Sequence, residues 1–238
     1  MTRGYLLANI DSQDILLSHY ADTLFEAASL TKTLYAALIA ETADFSQILT
    51  ISKDQLAGYG TDVLPKLFMH KDTHEISVES LLNLMLIYSC NSSTKVLLDI
   101  FFPERHKITQ EIGRIGMKSA HISFIDNKIN ENKLTLRDCF MLYQYIWTNK
   151  KLKDFFIGKN SINIFYLFDQ LPTSLVTSKT GMTKEEGIYT VGNTGILVHE
   201  DSFYFMAGFA EDQHIQNAVI NLRSAGKLMY EHLNKLNT

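Results

Sequence analysis

The order of hydrophobic patterns along the chain predicts an α/β (α+β) fold, with a sheet built from both chain ends and a helical domain inserted between them. Three observations carry that expectation. Near the start, Tyr5-Leu6-Leu7-Ala8-Asn9-Ile10 and Ile15-Leu16-Leu17-Ser18-His19-Tyr20 are short apolar runs flanking the turn cluster Asp11-Ser12-Gln13-Asp14, a hairpin signature. From about residue 29 to 159 helical periodicity dominates, with apolar residues at three- and four-residue steps over 78–87, 92–101 and 136–147. Beyond Thr177 strand texture returns at 187–199 and 203–210, and an amphipathic helix over 215–236 closes the chain. Residues 1–36 and 160–238 are thus expected to form the sheet domain, and 37–159 the inserted domain. Neither an internal repeat nor a low-complexity linker interrupts this order.

Composition narrows the classes of function. The chain has 238 residues, 46% hydrophobic and 20% charged, enough to bury a proper core in one or two domains. A net charge of −4 argues against a nucleic-acid partner, which would favour a basic chain. No apolar run approaches the length of a membrane span. Met1-Thr2-Arg3-Gly4-Tyr5 leads straight into a strand-like run without a signal-peptide apolar region, so the expectation is a cytoplasmic protein unless a leader has been removed. Cys90 and Cys139 are too few for a disulfide framework.

The chemistry begins at Ala27-Ala28-Ser29-Leu30-Thr31-Lys32-Thr33, ahead of the apolar run Leu34 to Ala40. With a helix starting near Ser29, Lys32 lies one turn on and on the same face. A serine hydroxyl needs a base beside it to become a nucleophile. A lysine amine serves as that base when burial and positive neighbours keep it neutral. The helix N-terminus adds free N–H groups suited to an oxyanion. The pair alone is weak, because Ser-x-x-Lys recurs at Ser92/Lys95 and Ser224/Lys227, where it reads as an ordinary helical surface pair.

Two later segments carry the same double reading. In Tyr88-Ser89-Cys90-Asn91-Ser92 a helix ending near Tyr88 and another starting near Ser92 leave Ser89 to Asn91 on a tight connection. Those side chains either face a cleft or cap the helices, as Ser and Asn commonly do. Thr177-Ser178-Lys179-Thr180-Gly181-Met182 is a β-rich run ending at a glycine that permits close backbone approach, and by itself it is only a charged edge strand.

In order, Ser29-x-x-Lys32, Ser89-x-Asn91 and Lys179-Thr180-Gly181 resemble the motif set of class A β-lactamases and penicillin-binding proteins. The likeness extends to Glu26-Ala27-Ala28, Leu56-Ala57-Gly58-Tyr59-Gly60, Ser77-Val78-Glu79-Ser80-Leu81-Leu82, Ile115-Gly116-Met117 and Leu171-Pro172, nearly the whole chain. It implies an antiparallel sheet flanked by N- and C-terminal helices, an all-helical insertion, and an active site where the two domains meet. It also implies Ser29 as the acylated nucleophile and Lys32 as its base or proton relay. Ser89 would pass a proton to the leaving nitrogen, and Asn91 would hydrogen-bond the substrate's amide side chain. Lys179 and Thr180 would meet a substrate carboxylate, with the N–H groups of Ser29 and Met182, the residue after Gly181, as the oxyanion hole.

Two departures stand out. Cys90 occupies the position where class A enzymes carry aspartate, as a small replacement or as a reactive thiol. Between Gly116 and Thr135 the family's Ω loop appears shortened and its Glu-x-x-Leu-Asn motif is missing, so the base that clears the acyl-enzyme has no assigned counterpart. Asp126 and Glu131 are the only carboxylates there, and on a polar loop both read as solvated.

Other constellations are weaker. His70 and His74, with Glu75, have metal-ligand spacing only if helical, across a polar turn and without a third ligand. Gly113-Arg114-Ile115-Gly116 lacks the strand and third glycine of a dinucleotide loop. No cofactor or metal is called for. The leading expectation is a serine hydrolase acylated at Ser29 by a β-lactam or an acyl-D-alanyl-D-alanine-like amide or ester. The alternatives are a penicillin-binding, D,D-peptidase or esterase type of enzyme, a sensor that is acylated without turnover, and an amidase using the scaffold for another acyl substrate. The expected partner is a small molecule, with the oligomeric state open.

Overall fold

The computed structural model describes residues 2–59, 62–67, 72–125, 128–162, 167–168, 171 and 174–236. The N-terminal hairpin forms as the two short apolar runs and the turn cluster between them predict, as β1 (Thr2–Asn9) and β2 (Ile15–His19). The three C-terminal strands β8 (Ser174–Glu185), β9 (Ile188–His199) and β10 (Ser202–Asp212) join it in one antiparallel sheet of order β2-β1-β10-β9-β8. Strand β1 zips onto β10 from Thr2↔Glu211 to Asn9↔Tyr204, so the first and last strands meet at the centre of the sheet. Strand β8 is left as an edge.

The two-residue period of each strand divides its apolar side chains between two cores. Leu7, Val191, Leu197, Tyr204, Met206 and Ala210 face α8 (Ile215–Leu236), whose Ala218, Leu222, Ala225, Met229 and Leu233 form one stripe at steps of three and four. Leu6, Ala8, Ile196, Phe205, Ala207 and Phe209 point the other way, into the core shared with α1 (Thr31–Thr42) and α6 (Leu136–Thr148). Residues Thr31 to Ala40 of α1 are buried all round, which its unbroken apolar run requires of a central helix.

The helical segment contains α3 (Val78–Ile87), α4 (Asn91–Phe101), α5 (His106–Ile115), α6 and α7 (Lys150–Phe156), together with the short α2 (Val63–Leu67). It is not all-helical, which corrects the sequence expectation. In β4 (Ile48–Ser52) Leu49 and Ile51 are buried while Ile48 and Thr50 are exposed, a two-residue period that pairs with β5 (Thr73–Ser77). The stretch after Met117 folds as a hairpin of β6 (His121–Ile125) and β7 (Lys128–Leu134), and β7 pairs in turn with β3 (Phe25–Glu26). The face of the sheet opposite the central core is covered by α8. The expected division at residue 36 falls within α1, which packs on α3, α4 and α7.

Candidate active site

The turn that carries Ser29 is held between two sheets. Phe25 on β3 stacks on Phe209 of β10 with ring centroids 4.6 Å apart, tying the segment to the large sheet. On its other side the Ala27 N–H donates to the Asn132 carbonyl on β7 at 2.8 Å. Ala28 then adopts φ +47°, a left-handed conformation that costs an alanine about 1–2 kcal/mol. Two donors hold it there, since its carbonyl accepts from Thr31 Oγ1 at 2.9 Å and from Asn132 Nδ2 at 2.8 Å. Ser29 follows in a 3-10 turn, Ala28–Leu30, and α-helical geometry starts at Thr31, two residues later than the spacing predicted. Lys32 is one turn on, as expected, and 5% exposed. Its Nζ lies 2.8 Å from Ser29 Oγ, 2.7 Å from Asn91 Oδ1 and 3.5 Å from Ser89 Oγ.

The second wall is the connection between α3 and α4. Helix α3 ends at Tyr88, Ser89 takes φ +56°, and Cys90 is the N-cap of α4 without a side-chain cap bond. Ser89 and Asn91 therefore do not spend their side chains on capping, and both turn toward Lys32. Cys90 is buried, with its carbonyl accepting from Ser93 Oγ and Thr94 Oγ1, which fits the small buried replacement.

The third wall is β8. Lys179 is only 1% exposed, unlike a lysine on a solvated edge, and its Nζ lies 3.0 Å from Ser89 Oγ and 2.8 Å from the Thr180 carbonyl. At Gly181 an added Cβ would stand 2.6 Å from the Ala27 carbonyl and 3.1 Å from the Leu30 nitrogen, so only glycine lets β8 approach the nucleophile turn this closely. Thr180 is buried, with its hydroxyl 3.0 Å from Ser161 Oγ. Met182 is half exposed and, with Ser29, Lys32, Asn91, Tyr59 and Asn132, lines a cavity of about 710 Å³.

Burial governs the electrostatics of the well. Desolvation pulls the Lys32 pKa down to about 8, against the opposing fields of Asp62 and Cys90. Lys179 is lowered to about 7, first by burial and then by the neighbouring Lys32 cation. Both amines thus lose their protons near neutrality, within hydrogen-bonding reach of hydroxyls.

Of the two carboxylates singled out from the sequence, Asp126 lies outside the described residues. Glu131 is exposed, stands 3.5 Å from His121 Nδ1, and lines a different cavity with His106 and His121. Asp99 does line the Ser29 cavity, but it is engaged by Lys95 and Arg105. Among the described residues no carboxylate hydrogen-bonds Ser29. His70 also lies outside them, and His74 sits on strand β5, not on the helix that a metal pair would need.

Sequence reasoning missed two residues. Asn132 grips the nucleophile turn from β7, and Asp62 Oδ2 accepts from the Ser92 N–H at 2.7 Å at the start of α4. Neither belongs to a motif, and only the adjacency of Asn132 to Glu131 hinted at its neighbourhood.

Comparison with known proteins agrees with this geometry. The sequence profile of the beta-lactamase enzyme family matches residues 2–233. No curated protein sequence matches the chain. Among solved structures the chain is similar to a class A beta-lactamase from Bacteroides cellulosilyticus DSM 14838, at 19% identity and TM-score 0.82, over 98% of this chain and 92% of that one. A beta-lactamase from Chitinophaga pinensis DSM 2588 matches at 17% identity and TM-score 0.82, over 97% and 93%. PBP-A matches at 19% identity and TM-score 0.76, over 98% and 90%. These likenesses establish the class A fold, and with a profile spanning nearly its whole length the chain belongs to the beta-lactamase enzyme family.

Proposed function

We propose that the protein is a serine hydrolase acylated at Ser29 by a β-lactam or by an acyl-D-alanyl-D-alanine-like amide or ester. The observation that carries this reading is the Lys32 amine 2.8 Å from Ser29 Oγ in a buried well. In its neutral form Lys32 Nζ accepts the Ser29 proton as Oγ attacks the substrate carbonyl carbon. The N–H groups of Ser29 and Met182, which line one cavity, would receive the oxyanion. As the carbon–nitrogen bond breaks, Ser89 Oγ delivers a proton to the leaving nitrogen and is resupplied by the lysines at 3.0 and 3.5 Å. Asn91 would donate its Nδ2 to the substrate's amide side chain while Oδ1 stays with Lys32. Lys179 would attract a substrate carboxylate. The Thr180 hydroxyl, 3.0 Å from Ser161 Oγ, would donate to the same carboxylate when Ser161 is the donor of that pair.

The ester at Ser29 is cleared only if water is activated. Glu131 turns to His121 and Asp99 to Lys95 and Arg105, which favours a second reading, a penicillin-binding or D,D-peptidase type with slow hydrolysis of β-lactam esters. Incubation with a fluorescent penicillin and a chromogenic cephalosporin separates the two. The expected result is a mass adduct on Ser29 that outlasts the free drug, with little colour. Steady colour would assign an efficient β-lactamase. No adduct and no colour would overturn the acylation reading for β-lactams, and Ser29→Ala should abolish whatever forms.

A further inference from the structure

The turn that presents Ser89 and Asn91 is an unfavourable piece of backbone. Ser89 has φ +56°, and α4 begins at Cys90 without a side-chain cap. An 11-residue helix exposes unpaired N–H groups at its start, and its dipole favours an anion there. That anion comes from a distant part of the chain. Asp62 Oδ2 accepts from the Ser92 N–H at 2.7 Å and from the Cys90 thiol at 3.8 Å, while the same thiol lies 3.2 Å from Ser92 Oγ. Asp62 is itself anchored, because its N–H donates to the Tyr59 carbonyl at 2.9 Å and the fully buried Leu64 follows it into α2.

We propose that Asp62 is a positioning residue of the acylation site, locking the Ser89–Asn91 turn from behind with a carboxylate at the start of α4. The proposal rests on the acylation reading above for its kinetic arm only. The groups whose charge bears on the Lys32 amine are Asp62 from the segment before α2 and Cys90 from the turn, with Lys179 from β8 coupled to it, while Tyr35, Tyr59, Lys95, Asp99 and Arg105 line the same cavity. Asp62 acts on one of the two lysines of the buried well, its charge favouring the Lys32 cation. Burial lowers the Lys32 pKa first and Asp62 opposes it, so removing the Asp62 charge lets Lys32 lose its proton at lower pH.

Two substitutions separate the two roles. Asp62→Asn keeps an oxygen acceptor for Ser92 and removes the charge, whereas Asp62→Ala removes both. Adding Cys90→Asp to Asp62→Asn returns a carboxylate to the same helix start. The readouts are the pH profile of Ser29 acylation by a fluorescent penicillin and a ¹³C NMR titration of the Lys32 side chain, assigned against Lys32→Met. Asp62→Asn should move both the rising limb of acylation and the Lys32 titration to lower pH. Asp62→Ala should add a loss of about tenfold in acylation at the optimum, from the freed turn. The double variant should return both curves toward the original. An unmoved Lys32 titration in Asp62→Asn would overturn the proposal, and so would an equal loss at every pH in both single variants. If the unmodified protein takes up no penicillin, the functional reading fails while the Lys32 titration still decides the role of Asp62.

Discussion

Replacing Lys32 by methionine tests the electrostatic basis of the site through a quantity that packing does not mimic. Burial holds the Lys32 pKa at about 8, below its ordinary 10.5, in a side chain only 5% exposed. The unfolded chain titrates near the ordinary value, so between about pH 8 and 10.5 it binds a proton that the folded chain does not. Stability therefore rises with pH through that window, and the whole penalty is present below about pH 8. A gap of about 2.5 units corresponds to about 3 kcal/mol, and about 2 kcal/mol of it is recovered between about pH 7 and pH 9.5. Methionine matches the length and does not titrate. Its lost hydrogen bonds to Ser29 and Asn91 shift stability by an amount that varies little over this window. Removing the Lys32 cation also relaxes Lys179 upward, which flattens the variant's pH dependence further. Urea unfolding of both proteins in half-unit steps from about pH 7 to 9.5 should show the variant losing about 2 kcal/mol of relative stability as pH rises. A difference that stays constant would mean that Lys32 is an ordinary ammonium in the fold, and the neutral-base mechanism would be refuted.

Three further outcomes follow from the backbone around Ser29. Asn132→Ala removes the Nδ2 donor from the Ala28 carbonyl, and should lower Ser29 acylation about tenfold while costing about 1–2 kcal/mol in chemical denaturation. Ala28→Gly relieves a positive φ, and should leave stability unchanged or raise it by up to about 1 kcal/mol, read as a shift in the thermal midpoint. Gly181→Ala places a methyl group 2.6 Å from the Ala27 carbonyl, so β8 must retreat from the nucleophile turn. Acylation should then fall by about a hundredfold or more, measured as adduct formation per folded molecule, since a displacement of about 1 Å is enough for such a loss.

Much of the fold was legible in local pattern. Steps of three and four placed α3 and α8 at their observed bounds, and α6 to within a residue. Short apolar runs bounded by turn clusters placed the strands that carry both cores. The motif residues Ser29, Lys32, Ser89, Asn91 and Lys179 were legible only together, because the order of the three segments resembles the family's motif set while each segment alone has an ordinary structural reading. The small strands β4 to β7 were not read, since their segments are short and partly polar and gain strand character only from their pairing partners.

By itself, then, the sequence determined the order of strands, helices and strands along the chain and the family to which it belongs. Only the tertiary structure decided that Lys32 and Lys179 are desolvated, that Asn132 holds Ala28 in a left-handed conformation, and that Asp62 closes the start of α4. The reason is physical. Periodicity reports the environment of neighbours along the chain, whereas a pKa or a strained dihedral depends on groups brought in from 30 or 104 residues away.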